Sequence, residues 1–171
     1  MKPQPFNSEF DAFFMKVYPN HSTIASSQRQ LLKTFFYVGG MLFKNSASAA
    51  GDDDISEEQN TRVLADIQIH LQRFGRQLNR TSTPPIKGKL GTVFNTFLSK
   101  DITPSPPLGS PRNECYAAFV AGIMAMLDIL TSMANSPSDD IAISRIDLIH
   151  EDLMNNTGIE AWHVPTWPME E

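Results

Sequence analysis

Apolar residues recur at every third or fourth position in six stretches of this chain, and segments rich in proline, serine and glycine separate the stretches. In the first stretch, Phe6, Phe10 and Phe13 fall on one side of a helix, because about 3.6 residues complete a turn. Pro84 and Pro85 exclude a continuous helix between the third and fourth stretches. No stretch shows the two-residue alternation of a half-buried strand. The sequence therefore predicts an all-α protein.

Capping residues locate two of the helix starts. Ser56 and Gln59 have the spacing of a capping box, in which each side chain bonds the other residue's backbone N–H. Ser136 followed by Pro137 predicts another start, because proline at the first helical position loses no hydrogen bond. We expect helices over about residues 6–18, 26–45, 56–78, 93–102, 112–134 and 136–156.

Charge and composition exclude several classes of protein. The 171 residues include 14 Lys+Arg and 19 Asp+Glu, a formal net charge of −5, and this acidity argues against nucleic-acid binding through phosphates. Cys115 is the only cysteine, which excludes a disulfide framework and suits a reducing cytosol. The apolar run from Cys115 to Leu127 has 13 residues, whereas a bilayer span needs about 20. We therefore expect no nucleic acid and no membrane as partner.

The two halves of the chain repeat the same order of features. The pattern Phe-x-x-Phe-x-x-Lys begins at Phe10 and again at Phe94. Ser56 and Ser136 each stand before a predicted helix, and each is followed 14 residues later by a histidine. This repetition predicts two tandem three-helix units, residues 1–79 and 92–157, joined by a linker over 80–91 and followed by a tail over 158–171. Two such units would pack as one compact, pseudo-symmetric helical bundle.

Small residues occupy corresponding places in the two middle helices. Glycine inside a helix costs up to about 1 kcal/mol relative to alanine, so a pair of small residues in both helices indicates that their backbones come close. Ala118 and Gly122 also have the spacing of a small-x-x-x-small motif. The predicted helix-crossing residues are Gly39, Gly40, Ala118, Ala121 and Gly122.

At these residues the chain resembles small uncharacterised proteins encoded by tailed bacteriophages. The resemblance rests on the segments 34–40 (TFFYVGG) and 117–127 (AAFVAGIMAML), each followed by a helix with an Ile-His pair. It implies a phage-encoded protein that acts in the bacterial host cytoplasm or in the virion. It implies no particular chemistry.

Candidate catalytic and metal-binding groups are few. His70 and His150 occupy equivalent positions in the predicted repeat and would meet if the units packed about a two-fold axis. A zinc site needs about four ligands, at least three of them from protein, and no His-x-x-x-His pair exists. The sequence also lacks a Gly-x-Ser-x-Gly elbow and a phosphate-binding glycine loop. We expect no enzyme, cofactor or metal, and keep a metal-dependent enzyme using the paired histidines as an alternative.

The tail, residues 158–171, differs from the predicted helices in composition. Both tryptophans lie there among prolines, which hold the backbone extended, and tryptophan is a frequent binding hot spot. One interpretation makes the tail a partner-binding peptide, and the other has it fold back to cover its own core. The residues predicted to bind a partner are Trp162, His163, Pro165, Trp167 and Pro168.

These observations favour a non-enzymatic, phage-encoded interaction protein. It would bind a host or phage protein through its helical surface and its Trp/Pro tail. A minor structural or adaptor component of the virion is the alternative, and a homo-oligomer stays open. The expected location is the bacterial host cytoplasm or, alternatively, the virion.

Overall fold

The computed structural model describes residues 4–48, 56–78, 86–99, 110–157, 164 and 167–168, and the all-α prediction is confirmed for these ranges. A short 3₁₀ turn at His21–Thr23 precedes the second of six helices. The helices are α1 (Pro5–Val17), α2 (Ser26–Ser48), α3 (Glu57–Leu78), α4 (Gly88–Leu98), α5 (Ser110–Ala134) and α6 (Asp139–Thr157).

Two of the predicted helix starts need correction. α4 begins at Gly88, inside the segment predicted as a linker, because Leu90 and Gly91 are already buried in its first turn. α6 begins at Asp139, and Ser136 does not cap it, because its hydroxyl donates to the Ser138 carbonyl. The capping box at Ser56 and Gln59 is confirmed, since each side chain bonds the other backbone N–H at 3.2 Å.

α2 and α5 form the centre of the bundle and run in the same direction. Near their starts, Gln28 donates a hydrogen bond of 2.9 Å to Glu114. Their facing sides are buried along most of their length, including Phe36 on α2 and Phe119 on α5. The remaining four helices pack around this pair.

Aromatic rings from the short helices α1 and α4 fill the space beside the central pair. On one side, Phe6 of α1 lies 5.0 Å from Phe36 and 5.1 Å from Tyr37 of α2. On the other side, Phe94 of α4 lies 5.2 Å from Tyr116 of α5. Each fully buried ring of this kind contributes roughly 1.5–3 kcal/mol, so the aromatic periodicity of the short helices is explained by the core.

The backbones of α2 and α5 touch where the two helices cross. A Cβ on Gly122 would lie 2.7 Å from the carbonyl carbon of Phe36 and would overlap its oxygen. A Cβ on Gly39 would lie 2.9 Å from the carbonyl carbon of Phe119 and would overlap its oxygen too. The two contacts are reciprocal, since each glycine faces the carbonyl three residues before the other glycine. The internal duplication itself stays a prediction.

The other predicted crossing residues have different surroundings. Gly40 faces α1, and a Cβ there would lie 2.7 Å from Cε1 of the Phe6 ring and would overlap its Cζ, so Gly40 makes room for an aromatic side chain rather than for α5. Ala118 is fully buried, and Ala121 is partly buried against the core. Gly39, and not Gly40, is therefore the counterpart of Gly122.

One helix among the described residues, Pro111–Ala134 within α5, is long and apolar enough to cross a membrane by length and composition. This helix has 24 residues and is longer than the 13-residue apolar run considered from the sequence. In the bundle, Phe119 and Ile123 of this helix are fully buried. Packing in the core accounts for these buried positions.

Candidate functional site

Asp66 on α3 joins three parts of the chain. Its Oδ2 accepts a hydrogen bond of 3.1 Å from Trp167 Nε1 and a second one from the Lys89 ammonium of α4. Its Oδ1 lies 3.5 Å from His70 Nε2, and the His70 ring meets the Trp167 ring edge-on at 5.7 Å. Burial raises the pKa of Asp66, but the hydrogen bonds from Lys89 and Trp167 outweigh it and hold that pKa below its ordinary value.

The contacts with Asp66 and His70 hold Trp167 of the tail against α3. Trp167 is only 4% exposed, and Val164 is buried as well. This burial favours the interpretation in which the tail folds back, because the Trp167 ring covers the protein's own α3–α4 surface. Partner binding by Trp167 stays a prediction. Pro168 is half-buried beside it and lines a cleft of about 350 Å³ with Arg62 and others. The remaining predicted tail residues, Trp162, His163 and Pro165, lie outside the described residues.

Replacing Trp167 with alanine should lower the free energy of unfolding by about 3 kcal/mol, because a buried aromatic ring is lost. Replacement with phenylalanine should cost less, about 1–2 kcal/mol, since one ring is kept and the losses are the hydrogen bond to Asp66 and part of the buried volume. Urea unfolding followed by circular dichroism measures both. Wild-type stability of the alanine variant would mean that the tail is not part of the core.

The two repeat-related histidines have different neighbours. His70 contacts Asp66 and Trp167, whereas His150 on α6 has its Nδ1 2.9 Å from the Lys44 ammonium of α2. Among the described residues, no group of three or more His, Cys, Asp or Glu side chains is placed to hold a metal ion. The structure thus does not bring His70 and His150 together as a metal site.

Cys115 is also unsuited to nucleophilic chemistry. It is buried, and burial together with the nearby Glu114 carboxylate raises the pKa of its thiol to about 12. The thiol is therefore protonated at neutral pH, whereas a thiolate is the reactive form.

A second carboxylate, Asp152 on α6, is almost fully buried and holds the start of α1. Its Oδ2 accepts the backbone N–H of Phe6 at 2.9 Å and of Asn7 at 3.2 Å. Its Oδ1 accepts from the Tyr37 hydroxyl at 3.2 Å and from the Asn156 side chain at 2.8 Å. Gln4 supplies no side-chain cap to α1, so Asp152 caps that helix from another part of the chain.

The capping role of Asp152 was missed in the sequence. The available signal was an acidic residue between the apolar positions Ile149 and Leu153 of α6, which points it towards the core. With four hydrogen bonds within the protein, its role is structural.

The first half of α6 extends beyond the end of α2. The two helices run in opposite directions, since Lys33 contacts Asn156 and Lys44 contacts His150. α2 ends at Ser48, about one helical turn after Lys44, so α2 does not accompany the earlier part of α6. One turn before His150 is Ile146, so residues before about 146 lie beyond the last turn of α2. We call residues 139–147, which include the turn beside the end of α2, the α6 overhang.

Three isoleucines of the α6 overhang are exposed, which sequence reasoning also missed. Their exposed fractions are 52% for Ile141, 57% for Ile143 and 40% for Ile146. Residues three apart lie about 60° apart around a helix, so Ile143 and Ile146 share one side. Ile141 lies roughly 140–160° away from both. We call Ile143 and Ile146 the isoleucine stripe.

Neither protein-family models, nor curated proteins, nor solved structures match this chain. Its function is therefore inferred from the contacts, charges and exposed surfaces of the chain itself.

Proposed function

We propose that this chain is a non-enzymatic interaction protein that binds another protein through the isoleucine stripe of α6. The observation that carries the proposal is the exposure of Ile143 and Ile146 on a helix segment that extends past its neighbour. Burying such side chains against a partner contributes up to roughly 1.5–3 kcal/mol each. The α6 overhang is already helical, which limits the backbone entropy lost on binding.

The two polar clusters support the same proposal. Asp66 and Asp152, the carboxylates with the most contacts, are both bound by groups of the chain itself. Their arrangement stabilises the fold and presents no activated nucleophile or general base to a ligand. Because Trp167 is buried, the binding surface is assigned to the helices and not to the Trp/Pro tail.

The proposed setting is a bacterial cell infected by the phage that encodes the chain, with a host or phage protein as partner. The resemblance of residues 34–40 and 117–127 to small tailed-phage proteins supports this setting. A minor component of the virion is the competing proposal, and the two differ in whether purified particles contain the chain.

Affinity capture tests the proposal. Tagged wild-type protein, the double variant Ile143→Ser/Ile146→Ser and the control Met15→Ser, an α1 residue that is also exposed, are each recovered from infected cells and from purified virions. We expect one protein to be recovered with wild type and Met15→Ser, and at least about tenfold less with the double variant, because two apolar anchors are lost. Equal recovery with all three would contradict the proposal. A fixed stoichiometry in purified virions would favour the virion component.

A further inference from the structure

The charges around the isoleucine stripe have one sign. Asp139, Asp140 and Asp147 are all exposed, and helical geometry places each of them within about 90° of the stripe. Arg145 is the only basic residue of the α6 overhang, and it lies about 130° from the stripe. The stripe is thus bordered by carboxylates, while the basic side chain is on the side of Ile141.

These carboxylates are not committed to contacts within the bundle. Among the described residues, none of the three forms a side-chain hydrogen bond or ion pair, in contrast to Asp66 and Asp152. Asp139 and Asp140 also stand in the first turn of α6, where negative charge is stabilised by the helix dipole. The three carboxylates therefore face solvent beside exposed isoleucine.

We propose that the isoleucine stripe binds a basic amphipathic helix. Such a helix places apolar side chains against Ile143 and Ile146 and places lysine or arginine against the bordering carboxylates. This inference rests on the proposed function and names the chemistry of its partner. An anionic lipid surface is disfavoured, since it would face three carboxylates. A second copy of the chain presents the same carboxylates and would meet them with like charge.

A designed peptide tests the apolar half of the proposal. The probe is a labelled Leu/Lys amphipathic peptide of about 18 residues, long enough for about five helical turns. Its affinity for the full-length chain is measured by fluorescence anisotropy. We expect Ile143→Ala/Ile146→Ala to weaken binding at least about tenfold, and Ile141→Ala, on the other side of the helix, to change it less than about twofold. Equal weakening by both variants would overturn the assignment to the stripe.

Charge variants test the other half. A Leu/Glu peptide of the same pattern should bind at least about tenfold more weakly than the Leu/Lys peptide, and added salt should weaken only the latter. Asp139→Asn/Asp147→Asn should reduce Leu/Lys binding about fivefold or more, whereas Arg145→Gln should not reduce it. Circular dichroism checks that each variant is folded.

The outcomes separate this inference from the proposed function. If Ile143→Ser/Ile146→Ser abolishes capture in cells but both peptides bind equally, the proposed function stands and the basic-helix inference is wrong. If wild type is a dimer in sedimentation equilibrium and Ile143→Ala/Ile146→Ala is a monomer, a second copy occupies the stripe and the inference is overturned. If the double variant captures the wild-type set of proteins, the proposed function itself fails.

Discussion

Gly122→Ala should lower the free energy of unfolding by about 3 kcal/mol and the melting temperature by roughly 6–12 °C. The reason is steric: a Cβ at Gly122 would lie 2.7 Å from the carbonyl carbon of Phe36 and overlap its oxygen. The clashing atoms belong to backbone in the middle of α2, so no side-chain rotation relieves the overlap. The central helices would have to separate, and the packing of both helices would loosen.

Gly75→Ala is a matched control for this substitution. Gly75 is also inside a helix, α3, but a Cβ there would have no heavy atom within 4 Å apart from its chain neighbours and the nearby backbone of its own helix. Alanine should therefore raise stability by up to about 1 kcal/mol through helix propensity alone. Chemical unfolding of both variants gives the comparison. A loss of less than about 1 kcal/mol for Gly122→Ala would contradict the close crossing of α2 and α5.

Asp152→Ala should be the other strongly destabilising change, with a loss of about 3–5 kcal/mol. It removes the cap from the Phe6 and Asn7 backbone N–H groups and leaves the buried Tyr37 hydroxyl without its partner. Tyr37→Phe alone should cost about 1 kcal/mol, because the carboxylate keeps its other donors. Urea unfolding measures each free energy.

A double variant makes the Asp152 prediction specific. In Asp152→Ala/Tyr37→Phe no hydroxyl is left unsatisfied, so the combined loss should be smaller than the sum of the single losses. Asp147→Ala, an exposed aspartate of the same helix, should change stability by less than about 0.5 kcal/mol. An Asp152→Ala loss as small as that of Asp147→Ala would show that α1 does not depend on this cap.

The six helices could be predicted from the sequence because the features that form a helix lie within a few residues of each other. Apolar spacing and the capping box at Ser56 act within a few residues, and both are reflected in the structure. The start of α4 was misplaced because burial of Leu90, a tertiary effect, extends that helix towards its N-terminus. Ser136 had the right neighbours for a cap, but its hydroxyl bonds the Ser138 carbonyl instead.

The candidate site was less predictable because long-range contacts define it. Asp152 accepts hydrogen bonds from Tyr37 and Phe6, which are separated from it by 115 and 146 positions in the sequence. Trp167 donates to Asp66 across 101 positions. Exposure of Ile143 and Ile146 depends on where α2 ends relative to α6. The apolar pattern of one helix does not predict where a neighbouring helix ends. A tryptophan in a proline-rich tail has the composition of a binding peptide whether or not it folds back on its own chain.

Site-directed photo-crosslinking in living host cells tests most directly whether the isoleucine stripe is a protein-binding surface. A photoreactive amino acid replaces Ile143 in one variant and Ile141, exposed on the other side of α6, in a second. We predict that irradiation joins the Ile143 variant to one protein, which mass spectrometry identifies, and that the Ile141 variant gives little of that adduct. Absence of any adduct from position 143, or the same adduct in equal yield from both positions, would contradict the proposed function.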